Sequence, residues 1–144
     1  MDPADFLSTA RDLCLPIGKR EADYRSAISR AYYAVFLTVR ERLGNSISFE
    51  LRMRAQLSKQ LTHDWTIRSL CNCGISEIEG YGIALKSLQS ARHLADYDMK
   101  KVILFAKANE EIANAQDLCD EMNAFGLDKI AAVIAGKLEL DHPK

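Results

Sequence analysis

The sequence predicts an all-α fold: an antiparallel helical bundle of four core helices with short flanking helices, forming a single domain over residues 1–144. Three observations carry that prediction. Apolar residues recur three and four apart along most of the chain, the spacing of one helix face, and nowhere sustain the period of two that strands need. Only three prolines and seven glycines occur, and Gly18, Gly44, Gly74 and Gly126 fall where periodic runs end. The chain is 48% hydrophobic and 27% charged, the balance of a globular protein able to bury one core.

The elements follow in order. Asp2-Pro3 is a good start for a first helix through about Leu13, since aspartate caps and proline fits the first turn. Pro16 and Gly18 break it. A second helix is expected from about Arg20 to Leu43. Ile28, Ala31, Tyr32, Val35, Phe36, Val39 and Leu43 form its apolar stripe, and Gly44-Asn45 is expected to end it. The region from Phe49 to Cys71 reads as weaker helix, divided into two short pieces near Thr62-His63. Residues 71–76 read as a turn. A helix follows from Ser76, with Glu79 completing a capping box and Ile78, Tyr81, Leu85, Leu88 and Ala95 facing inward. Asp96 or Asp98 caps the next helix, expected from about Met99 to Phe125. Gly126 separates it from a last amphipathic segment, Leu127 to Leu138. No repeat or long linker divides the chain.

The net charge of −1 gives no global pull toward nucleic acid. Its distribution is uneven. Residues 1–68 carry eleven Lys or Arg and eight Asp or Glu, net +3; residues 69–144 carry eight and twelve, net −4. Nine of the ten arginines lie in the first part. Such asymmetry either docks a polyanion or an acidic partner on one face or is neutralised inside the bundle. No apolar run approaches the roughly 20 residues of a membrane-spanning helix. Met1 to Ala10 has acidic and no basic residues, unlike a secretory signal or transit peptide; the expectation is a cytoplasmic protein. The four cysteines, Cys14, Cys71, Cys73 and Cys119, have neither disulfide-framework nor zinc spacing and read as reduced thiols, with Cys14 and Cys119 as small core side chains. Neither metal nor cofactor is expected. Phosphate-binding glycine loops and a recognisable Ser-His-Asp set are missing from the sequence, and Glu-x-x-His occurs once, at Glu139–His142, where a di-metal bundle needs it on two helices.

Two segments stand out as carriers of chemistry. Arg25 to Phe36 places small residues beside Arg30, Tyr32 and Tyr33 on a bundle helix, and a buried tyrosine needs a partner for its hydroxyl. Ala91 to Asp98 places Arg92 and Asp96 four apart on one helix face, continuing the stripe of Leu85 and Leu88. A guanidinium at that seam needs a carboxylate or carbonyls. The pair either locks two helices together through Tyr32 or lines a polar cleft with Tyr97.

Both segments, Ser29 to Phe36 (SRAYYAVF) and Arg92 to Tyr97 (RHLADY), resemble the HEPN superfamily, and more narrowly its small stand-alone members. The resemblance implies an all-helical bundle, a homodimer, and pairing with a minimal nucleotidyltransferase in a toxin–antitoxin or defence module. It also implies metal-independent ribonuclease chemistry on RNA, whose usual signature is Arg, four to six residues, then His. This chain departs from that signature. Arg92 supplies the arginine, but Asp96 and Tyr97 stand where the histidine belongs. His93 is adjacent to Arg92 and points about 100° away. His63 follows Arg52 and Arg54 at eleven and nine residues, which also misses the spacing.

Metal-free RNA cleavage needs a proton acceptor for the 2′-hydroxyl and a cation for the phosphorane. Arg92 fits the second role; for the first, a neighbouring arginine makes Asp96 a partner for charge rather than a base. The expectation is therefore weak or no ribonuclease activity, with function through a protein partner. Arg40, Arg42, Arg52 and Arg54 are the expected partner or RNA contacts, because arginine pairs in two-point fashion with carboxylate and phosphate. Nucleotide transfer to Tyr97 or a neighbour is a further expectation of that partnership. The alternative is a ribonuclease with a composite site of Arg92, Asp96, Tyr97 and His63, brought together by folding. A scaffold or small-ligand-binding bundle is the third reading.

Overall fold

The computed structural model describes residues 2–144, and among them every regular element is a helix. In chain order these are α1 (Ala4–Leu13), α2 (Glu21–Ser46), α3 (Phe49–Arg54), α4 (His63–Cys71), α5 (Ser76–Tyr97), α6 (Phe105–Phe125) and α7 (Leu127–Asp141). The fold is the expected all-α bundle. No helix among the described residues is long and apolar enough to cross a membrane.

α2 is the hub. Its 26 residues make it about 39 Å long, and it packs against α1, α4, α5, α6 and α7. Neighbours on several sides explain why its buried set is wider than one stripe: Tyr24, Ala27, Ile28, Ala31, Tyr32, Ala34, Val35, Phe36, Val39 and Leu43. The alanines admit close backbones, while Tyr32 and Phe36 fill the remaining space, both with no exposed surface. Burying each large apolar side chain contributes about 1.5–3 kcal/mol. A single apolar cluster runs from Leu7 in α1 to Leu138 in α7.

Local signals set the starts. The Asp2 carboxylate accepts the Ala4 amide at 3.0 Å. Asp23 reaches back to the Arg20 amide at 2.9 Å. Ser48 Oγ accepts from the Leu51 amide and Thr62 Oγ1 from the Trp65 amide, at 3.1 and 3.0 Å. The weak region does divide, into α3 and α4, with Thr62 as the second cap.

Several boundaries differ from the sequence reading. α2 runs through Gly44 and Asn45 to Ser46, because Arg52 Nη2 takes the Gly44 carbonyl at 3.2 Å and Ser46 Oγ turns back onto the Arg42 carbonyl at 3.0 Å. Ser76 lies inside α5 rather than capping it, and Glu79 instead accepts the Gly74 amide at 3.1 Å. α6 starts at Phe105, not near Met99. The cause is Arg25: its guanidinium collects the carbonyls of Leu94, Ala95 and Asp98 at 3.2, 2.9 and 2.9 Å, and that of Lys101. Glu21, paired with Arg25 at 3.0 Å, accepts the Ile103 amide at 3.1 Å. With those groups held by α2, residues 99–104 cannot form the first turn of a helix. At the far end α7 continues to Asp141, beyond the expected Leu138.

α4 and α5 meet at a glycine. A Cβ on Gly82 would stand 2.7 Å from both the Cys71 amide nitrogen and Sγ, and 2.9 Å from Leu70 Cβ. The two halves of the chain also neutralise each other, since Arg42 pairs with Asp128 at 2.5 Å and Arg54 with Glu139 at 2.7 Å.

Candidate functional site

One face of α2 carries Ser29, Tyr32, Tyr33, Phe36 and Arg40, spaced three, four, seven and eleven residues from the first, so they lie along one side of the helix. α4 begins opposite them and delivers His63 in its first turn, fixed by the Thr62 cap. The last turns of α5 supply Arg92, His93 and Asp96. Three helices, far apart in sequence, thus meet around the Tyr32 ring.

Tyr32 Oη and His63 Nδ1 are hydrogen-bonded at 2.6 Å. The imidazole stacks on Phe36, with centroids 3.9 Å apart and planes 11° from parallel, and meets the edge of Tyr33 at 5.7 Å. His63 is half-buried, and its Nε2 has no protein partner among the described residues. The Arg92 guanidinium lies 5.4 Å from the centroids of both Tyr32 and Tyr33. Its Nη1 donates to Asp96 Oδ2 at 3.2 Å and to Tyr33 Oη at 3.4 Å, while Nη2 stands 3.4 Å from His93 Nε2. Ser29 Oγ donates to the same Asp96 oxygen at 3.4 Å. Arg92 Nε is buried without a protein partner among the described residues. The Arg40 guanidinium lies 5.1 Å from the Phe36 centroid.

The electrostatics follow from this placement. Burial pushes the Tyr32 phenol far above its ordinary range, with Arg92 opposing, so it remains a protonated phenol. Burial lowers the His63 pKa from its ordinary 6.5, and Arg92, Arg40 and His93 lower it further. His63 is therefore a neutral imidazole at neutral pH, beside a permanent cation. A neutral base next to a fixed guanidinium can take a proton and balance developing negative charge at one centre.

The structure brings together Arg92, Asp96 and His63 with Tyr32 and Tyr33, but not Tyr97. Tyr97 is 70% exposed on the outer face of α5, where its ring is tilted against His93 at 5.7 Å. Arg30 lies over Phe6 at 5.7 Å and ties α1 to α2. The four arginines expected as a partner surface are mostly occupied. Arg42 pairs with Asp128; Arg52 takes the Gly44, Ser58 and Lys59 carbonyls; Arg54 holds Glu50, Glu139 and the His142 carbonyl. Only Arg40 belongs beside the site. Sequence reasoning missed Ser29, Phe36, Arg40 and His93 as members of the cluster. The helical spacing from Ser29 to Arg40 was the available signal.

Cys14 is buried, and burial raises the Cys119 thiol to about 11, which leaves both as unreactive packing groups. No family model matches this chain, and no curated protein or solved structure matches it either.

Proposed function

We propose that the Tyr32–His63–Arg92–Asp96 cluster cleaves RNA phosphodiesters without a metal. The observation that carries this is the junction at Tyr32, whose hydroxyl holds His63 while its ring lies against Arg92. With Nδ1–H donating to Tyr32 Oη, His63 Nε2 carries the open lone pair; it takes the proton of a 2′-hydroxyl, and that oxygen attacks the adjacent phosphorus. Arg92 balances the charge of the phosphorane, its weak Nη2 contact to His93 giving way to a phosphate oxygen. The bond to the 5′-oxygen then breaks, and His63 returns its proton to the leaving oxygen. The products are a 2′,3′-cyclic phosphate and a 5′-hydroxyl. Asp96 and Ser29 hold Arg92 in place, and Tyr32 sets the imidazole plane.

The resemblance to HEPN proteins supports the same chemistry, with one difference. The histidine here comes from upstream of the arginine, on another helix, rather than from four to six residues downstream. The test is cleavage of labelled RNA in EDTA by the purified protein, against His63→Ala and Arg92→Ala. Cleavage lost in both variants supports the site; undiminished cleavage in either removes that residue from it.

A second reading is partnership, with a homodimer and a minimal nucleotidyltransferase acting together with it in the cytoplasm. Leu15 and Ile17 in the α1–α2 loop and Val102 and Leu104 before α6 are exposed apolar side chains, and they favour it. The apolar stripe of α7, by contrast, is consumed in the core through Ile130, Ile134 and Leu138. Sedimentation equilibrium of the wild type and of Ile17→Glu separates a dimer through Ile17 from a monomer.

A further inference from the structure

Beside the cluster, the outer face of α5 forms an open groove of about 840 Å³. Lys86, Ser90, His93 and Tyr97 line it at spacings of four, seven and eleven residues, so they form one row. The row is about 17 Å long and ends at Lys100, which also lines the groove. It touches the proposed catalytic cluster at one point, since His93 lies on this face and its Nε2 is 3.4 Å from Arg92 Nη2. Two aromatic rings stand between the lysines, His93 exposed and Tyr97 70% exposed, tilted against each other at 5.7 Å. A lysine stands at each end.

Two carboxylates also line the groove, and both are engaged. Asp64 pairs with Arg68 at 2.5 Å, and Asp98 Oδ1 accepts the Lys100 amide at 3.1 Å. Lys86 Nζ donates one hydrogen bond, to Gln89 Oε1 at 3.1 Å, and keeps its charge, so a ligand meets cations at the ends and, between them, the rings of His93 and Tyr97 among Ser90, Leu94 and Met99. A linear ligand with anionic groups at intervals and flat rings between them fits that order. A double helix does not, because its bases are stacked inside and offer no ring to Tyr97.

We infer that this groove holds the single-stranded RNA that flanks the scissile phosphate, with an unstacked base on Tyr97 and His93 and backbone phosphates on Lys86 and Lys100. The inference rests on the proposed cleavage reaction for its substrate class, but it concerns binding. It can therefore stand or fall separately. Tyr97, outside the catalytic cluster, gains a role as a base platform, and the enzyme gains a preference for unpaired RNA.

The experiment uses the full chain in EDTA with a fluorescent single-stranded RNA in which every 2′-hydroxyl is methylated, so that it cannot be cleaved. Binding is read by anisotropy for the wild type, Tyr97→Ala, Tyr97→Phe and the double variant Lys86→Glu/Lys100→Glu. These side chains are exposed, so folding is preserved, and circular dichroism checks it. The expected result is about tenfold weaker binding for Tyr97→Ala and for the double variant, with Tyr97→Phe unchanged because it keeps the ring. A duplex of the same sequence competes poorly. Wild-type binding unaffected by these changes, or no binding to the wild type, overturns the groove. Groove-dependent binding without cleavage of ordinary RNA leaves the groove standing and removes the catalytic reading instead.

Discussion

The hydroxyl of Tyr32 on α2 and Nδ1 of His63 on α4 stand 2.6 Å apart, in a pair whose residues are 31 positions apart in sequence. The bond connects a fully buried phenol to a half-buried imidazole. Removing the hydroxyl in Tyr32→Phe keeps the ring that packs on Arg92 and Phe36 and deletes only the hydrogen bond. The expected loss of stability is about 1 kcal/mol, read by urea denaturation. Cleavage should fall in kcat with KM little changed, because the imidazole loses its orientation rather than the substrate its contacts.

The depressed pKa of His63 gives stability a direction in pH. Its folded value lies below its ordinary 6.5, through burial first and then Arg92, Arg40 and His93. The unfolded chain therefore binds this proton more readily than the folded one. The stability contributed by the neutral imidazole is complete above the ordinary value and is lost as pH falls from there through the folded value. Thermal melts between pH 7 and pH 5 should show that loss, and His63→Phe should flatten it. The acid limb of cleavage should correspondingly have its midpoint below 6.5.

Gly82 is required by packing, not by backbone conformation. An alanine there would place Cβ 2.7 Å from the Cys71 amide, at the crossing of α4 and α5. Backbone cannot give way as a flexible side chain can, so Gly82→Ala should destabilise by about 1–3 kcal/mol. Because α4 carries His63, it should also lower cleavage. Gly80→Ala, which meets nothing within 4 Å, is the matched control on the same helix.

Arg25 ends α5 by holding its last carbonyls from another helix. Arg25→Met keeps much of the stem and removes the donors. The predicted effect is local: faster amide hydrogen exchange across residues 98–104 and a stability loss of about 1.5–3 kcal/mol, the range for hydrogen bonds to a charged group. Exchange in α7 should change far less.

The helices themselves were legible because three-and-four spacing is a local property of the sequence. Boundaries set by distant groups were not. Nothing near Met99 announces that Arg25 will take the carbonyls around it, and Gly44 looks like a helix end until Arg52 is known to lie on its carbonyl. The site was legible in part for the same reason. Arg92 and Asp96 are four apart on one helix, and their 3.2 Å contact follows from that spacing. His63 reaches Tyr32 only through the packing of α4 on α2 and α5, a relation with no fixed sequence interval. The arginines from Arg42 to Arg54 looked like an outward patch, because sequence alone does not show that Asp128, Glu139 and several carbonyls fold onto them.

Chemical rescue tests the central claim most directly. His63→Gly should abolish cleavage of single-stranded RNA in EDTA, and added imidazole should restore it in proportion to the neutral imidazole present, yielding 2′,3′-cyclic phosphate ends. Arg92→Ala should show no such rescue, since imidazole does not replace a guanidinium. Cleavage by His63→Gly at the wild-type rate without imidazole would contradict the account, and so would wild-type protein that leaves RNA intact.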